Sequence, residues 1–154
     1  MTDLARPHFH HLALTVSDPD ASVAWYERVF GLRFQAEIPH RGGFGRLLAD
    51  DELAMVIVLH AHGVNDGTAF AETTNGLDHV SFAVPTRSEL EDWQRHLEDC
   101  GVARSEVADR PATHSGITDA PYGSVLVFRD PDNIQLELFA PAATPPGPAP
   151  ASSS

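Results

Sequence analysis

The chain has a single cysteine, Cys100, and only 10 basic residues against 22 acidic ones in 154. Each shortage excludes something. One thiol can form neither an internal disulfide nor a thiolate-rich zinc site. Cys100 sits just before Gly101 at an expected helix end, where the dipole does not lower a thiol pKa, so it reads as structural. A net charge of -12 speaks against nucleic acid and anionic membrane as partners, since both need a basic face. No run approaches membrane-spanning length, and residues 1–10 contain no apolar signal core, so the expected location is cytoplasmic. Residues 141–154 are Pro, Ala, Gly, Ser and Thr only, and are expected to form a disordered tail.

What the chain does contain is a copy of itself. His11-Leu12-Ala13-Leu14-Thr15-Val16 lines up with His79-Val80-Ser81-Phe82-Ala83-Val84, and at the same offset Trp25 falls on Trp93 and Val29 on Leu97. Such repetition fixes architecture before any other signal. A half of about 65 residues would bury little surface alone, so the halves are expected to pack on each other.

Each half reads as strand, helix and three further strands. Phe9 to Ser17 has strand composition; Ser17 or Asp18 offers an N-cap, and Ala21 to Phe30 reads as a helix ended by Gly31. Strands are expected near Leu32–Ile38, Gly45–Ala49 and Leu53–His60, with turns at Gly42-Gly43 and Asp50-Asp51. The second half gives a strand at Leu77–Val84 and a helix from Glu89 to Asp99, with Ser88 and Glu91 at capping-box spacing. A strand at Val102–Ala108, a polar loop from Asp109 to Gly123, and a hairpin of Ser124–Arg129 and Ile134–Phe139 follow. The fold class is α+β: two tandem βαβββ modules, about 8–63 and 76–140, forming one domain over 7–140 with a curved, cup-like mixed sheet.

Period-2 alternation assigns faces. Leu12, Leu14 and Val16 oppose His11, Ala13 and Thr15; Val80 and Phe82 oppose His79 and Ser81; Leu136 and Leu138 oppose Glu137. His11, His79 and Glu137 thus project from the smaller, more polar faces, while His10 points to the apolar side. Two neutral imidazoles and a carboxylate suit divalent Fe, Mn or Zn. On alternation alone the ordinary reading leads, since a lone strand histidine is more often a satisfied or surface residue and a lone glutamate on a last strand is usually solvated.

Several stretches resemble the vicinal oxygen chelate superfamily, which includes glyoxalase I, extradiol dioxygenases, fosfomycin-resistance proteins and bleomycin-binding proteins. They are His11 to Asp18, Trp25-Tyr-Glu-Arg-Val-Phe-Gly-Leu32, Leu77-Asp-His79-Val, and Phe128-Arg-Asp-Pro-Asp-Asn-Ile-Gln-Leu-Glu137-Leu, in the family's order. The resemblance implies a metal-binding cup with His11, His79 and Glu137 as ligands of a divalent ion (Fe2+, Mn2+ or Zn2+). It implies bidentate chelation of a small oxygenated substrate, by an extradiol-type dioxygenase or a lyase/isomerase. The alternative is a metal-free drug- or metabolite-binding protein. Homodimers are common in this family, yet two modules in one chain could complete a cup alone.

One departure from the family pattern is informative. Glyoxalase I has a fourth ligand, a glutamate in the first module's last strand, whereas Met55-Val-Ile-Val-Leu-His60 offers no carboxylate there. Fosfomycin-modifying members supply basic residues for a phosphonate, and near Glu137 this chain offers little beyond Arg129. For proton transfer the candidates are His60, which with His62 lies at a strand end, and His114 and Tyr122, which lie in the long loop. Phe44 is expected to face the substrate. Asp130-Pro131-Asp132-Asn133 reads as a turn.

Overall fold

The structure is a computed structural model and describes residues 4–143. It divides into two compact units, one ending at Thr68 and the other beginning at Ala69. The tail expected from Pro141 starts later than that, since Pro141 still pairs with Gly123 as the end of the last strand; beyond Ala143 it lies outside the described residues.

The first unit consists of β1 (Leu12–Thr15), α1 (Pro19–Phe30), β2 (Arg33–His40), β3 (Gly43–Ala49) and β4 (Val56–His62). Its open sheet has the order β1-β4-β3-β2, with β1 parallel to β4 and the other pairs antiparallel. Asp18 caps α1 by accepting from the amides of Asp20 and Ala21. Pro19 has no N–H to leave unsatisfied, so the helix starts two residues before the expected Ala21. Leu14, Val16, Trp25, Tyr26, Val29, Leu48, Ile57 and Leu59 form the core between helix and sheet. Arg46 ties this side of the sheet to the first turn of α1 through Asp20, and its Nε donates to Glu37 at 3.1 Å.

Phe44 belongs to the same face as Arg46 and Leu48, with the Arg46 guanidinium 5.3 Å from its ring centroid. It is therefore on the helix side of the sheet, not the side expected to meet substrate. The last strand begins at Val56 instead of Leu53 because the preceding turn is longer. The Asp50 carboxylate accepts the Met55 amide at 2.9 Å, and Leu53 has φ 56°.

The second unit consists of β5 (Val80–Ala83), α2 (Arg87–Asp99), β6 (Ala103–Arg104), β7 (Thr113–His114), β8 (Thr118–Ala120), β9 (Gly123–Arg129) and β10 (Gln135–Pro141). The sheet order is β5-β10-β9-β7-β6, with β8 also pairing with β9, and β5 runs parallel to β10. The capping box is Thr86 with Glu89, two residues before the expected Ser88 with Glu91. Glu91 is instead drawn to Arg87 at 2.5 Å. The expected strand at 102–108 shortens to two residues, and the expected loop at 109–123 contains β7 and β8.

Residues 70–72 are fastened to the β9–β10 turn. The Phe70 amide donates to the Asp132 carbonyl at 2.8 Å, and Asn133 Nδ2 donates to the Phe70 carbonyl at 3.0 Å. Arg129, nearly buried, meets Glu72 in a two-pronged ion pair at 2.8 and 3.0 Å.

The units share their pairing plan. Gly43 opposes His62 and Gly123 opposes Pro141 at the open end of each hairpin. A Cβ on Gly43 would lie 1.9 Å from the Ala61 carbonyl oxygen, and one on Gly123 would lie 2.4 Å from that of Ala140. Only a residue without Cβ permits this approach. Gly123→Ala should therefore lower unfolding free energy by about 1–3 kcal/mol in urea titrations.

A second expectation concerns acid. Arg129 holds the Glu72 carboxyl at a pKa of about 2, against an ordinary 4.5. The pair's contribution is complete above pH 4.5 and is lost as pH falls towards 2. Stability of the natural chain should fall more steeply across that window than stability of Glu72→Gln, measured by denaturant midpoints at each pH.

Candidate functional site

In the second unit, register brings two candidate ligands to one face. Glu137 on β10 lies beside Ser81 on β5, and continuing the pairing by one residue puts His79 beside Gln135. Helix-facing Leu136, Leu138, Leu126 and Phe128 are buried, so Glu137 and His79 project from the opposite side.

Both are held by neighbours. Ser81 donates its hydroxyl to Glu137 Oε1 at 2.7 Å, leaving Oε2 free of that bond. Asp78 accepts from His79 Nδ1 at 2.6 Å, which leaves Nε2 as the lone-pair nitrogen. A carboxylate with one oriented oxygen and an imidazole whose far nitrogen is fixed by an acid are the donors that a divalent ion takes. The donor set fits a metal.

Further along this face Phe139 stacks on Tyr122, with centroids 6.3 Å apart and 17° between planes. Tyr122 is exposed. His114 is placed differently from the loop position expected of it. It lies on β7 opposite Phe128, fully buried, with Nδ1 donating to the Ser115 carbonyl at 2.7 Å and Nε2 3.3 Å from Glu98 Oε1 on α2. That is the helix side of the sheet, away from Glu137.

Arg129 is also occupied. Its five N–H groups point to the Ala108 and Asn133 carbonyls, both Glu72 oxygens and Gln135 Oε1. No donor remains for an anionic ligand.

In the first unit His11 stands immediately before β1, exposed, with its Nδ1 2.8 Å from Nδ1 of His10. His10, expected on the apolar side, is exposed as well. Ala13 pairs with Val58 as Ser81 pairs with Glu137, so Val58 holds the register of the carboxylate.

Two residues on, His60 pairs with Thr15 and shares the Val58 face. There it meets two residues absent from the expected ligand set. Its Nδ1 lies 3.1 Å from His40 Nε2, and the His60 and His62 rings stack with centroids 5.9 Å apart. Burial lowers the His60 pKa, aided by His40, His62 and His11, so its ring is neutral at pH 7. The sequence signal for this group was His60-x-His62 opposite Gly43-x-Gly45: two imidazoles on one face of a strand, facing two residues without side chains. His40 joins only through the β2–β3 hairpin.

Among the described residues no helix is long and apolar enough to cross a membrane. An uncharacterized protein of Pseudomonas aeruginosa is 28% identical over 134 residues, covering 86% of this chain and 87% of that protein. The crystal structure of a glyoxylase/bleomycin resistance protein/dioxygenase domain from Frankia sp. EAN1pec is also 28% identical. It superposes with a TM-score of 0.76 over 90% of this chain and 100% of its own. A variant of the fosfomycin resistance protein FosX from Listeria monocytogenes, complexed with Mn(II) and 1S,2S-dihydroxypropylphosphonic acid, shares the fold. That likeness has 16% identity and a TM-score of 0.58, over 93% of this chain and 96% of its own. Residues 8–138 match the Glyoxalase/Bleomycin resistance protein/Dioxygenase superfamily, and the chain belongs to that family.

Proposed function

We propose that the protein is a divalent-metal-dependent enzyme acting on a small oxygenated substrate that chelates through two adjacent oxygens. The observation that carries this reading is the paired support of Glu137 by Ser81 and of His79 by Asp78 on one face of the second unit. His11, the first copy of His79 in the repeat, is the third ligand that the family resemblance implies. A bound divalent ion would supply Lewis-acid polarisation of the substrate oxygens.

The chain's own residues do the rest. Asp78 keeps the His79 proton on Nδ1 and so holds Nε2 as an electron-pair donor. Ser81 fixes the Glu137 carboxylate through one oxygen. Phe139 and Tyr122 supply an aromatic wall, and the Tyr122 phenolic oxygen is the group assigned to proton transfer. His114 enters this reading as a core residue tied to α2, not as a catalyst.

Two family chemistries are disfavoured. Val58 at the register of Glu137 gives no fourth ligand of the glyoxalase I kind, and a saturated Arg129 gives no cation for a phosphonate. Oxygen insertion beside a diol and metal-assisted isomerisation or lyase chemistry remain. Oxygen uptake during turnover separates them.

Chelator-free protein loaded anaerobically with Mn(II) should retain the ion, read by electron paramagnetic resonance, and His79→Ala should lose it. Retention below about a tenth of an ion per chain in the natural protein would favour the metal-free binding alternative. Equal uptake by His79→Ala would refute the ligand assignment. Ser81→Ala should keep the fold and weaken Mn(II) binding about 10–100-fold, because it removes only the support of a ligand.

A further inference from the structure

His40, His60 and His62 each offer a ring nitrogen, and these nitrogens lie within 4.8 Å of one another. The shortest separation, 3.1 Å between His60 Nδ1 and His40 Nε2, is close to the edge of about 3.3 Å that two imidazoles span around tetrahedral zinc. His40 is already oriented for such a role. Its Nδ1 donates to the Arg41 carbonyl at 3.2 Å, which turns the Nε2 lone pair towards His60.

The sheet has been cleared to make room for these rings. Gly43 and Gly45 lie directly across β3 from His62 and His60. A Cβ on Gly45 would come within 2.9 Å of His60 Cε1, and one on Gly43 within 3.1 Å of His40 Cε1. The second unit fills the same register positions otherwise. Phe139 and Pro141 stand where the first unit has His60 and His62, and Val125, opposite Phe139, stands where it has Gly45. The imidazole group is thus particular to the first unit and not a relic of the duplicated ligand pattern.

We infer that His40, His60 and His62 form a metal site within the first unit, using none of the ligands proposed above, that binds a zinc-type divalent ion (zinc, cobalt or nickel). Three imidazole ligands without a carboxylate favour these ions over manganese or magnesium. Three protein ligands leave a fourth position open, the arrangement of zinc sites that exchange water or substrate. The three rings line a pocket of about 310 Å³ together with Ala13, Leu14 and Thr15.

The test uses the full chain carrying His79→Ala, so that the result does not depend on the function proposed above. Stripped protein is titrated with Co(II) and then Zn(II), followed by visible absorption and by ¹⁵N spectra of the imidazoles. One equivalent should bind, with four- or five-coordinate cobalt bands, and the resonances of His40, His60 and His62 should move together. Adding His62→Ala, an exposed position, should weaken binding at least tenfold with an unchanged far-ultraviolet spectrum. His40→Ala should do the same. Absence of a bound equivalent would overturn the site, as would cobalt held by His8, His10 and His11 with the three rings unperturbed.

Discussion

In each unit the first strand lies parallel beside the last, and the backbone bonds between them leave no freedom in which side chains become neighbours. Leu12 falls on Ile57 and Val80 on Leu136, and every face assignment follows by alternation. The aliphatic set of both strands then meets a helix, and whatever stands between those positions is turned to the other side. That is why a histidine before the first strand and an acid near the start of the last come to share one surface. A one-residue slip would exchange the core for the site, so the burial that stabilises the fold also fixes the chemistry.

The sequence made this much legible because the signals were local and periodic. The repeat gave the two-unit plan, alternation gave the faces of Glu137 and His79, and Asp18 with Pro19 marked the first helix. Local signals stop short where two solutions are equally good or where segments are too short to show a period. Thr86-x-x-Glu89 and Ser88-x-x-Glu91 both have capping-box spacing; Glu89 closes the box on Thr86, while Glu91 is engaged by Arg87. Strands of two residues, such as β7, carry no alternation at all. His114 accordingly carries no local sign of its burial against α2, which is a property of the tertiary fold.

Histidine illustrates how differently one side chain is used. His79 has its proton assigned by an acid, His114 is buried beside Glu98, and His60 is surrounded by other imidazoles and kept neutral. Composition could not distinguish these cases, because each depends on what the neighbouring strand presents. Opposite His60 the neighbour presents glycine, and the missing side chain is as much part of that arrangement as the rings are.

The paired positions also measure chain length. From Leu12 to Ile57 the first unit uses 45 residues between its partner strands, and from Val80 to Leu136 the second uses 56. The surplus falls between α2 and β9, in the stretch that carries β6, β7 and β8. Insertion there leaves the register of β5 and β10 intact. That stretch can therefore lengthen, shorten or change in sequence while β5 and β10, and with them Ser81 and Glu137, keep their alignment.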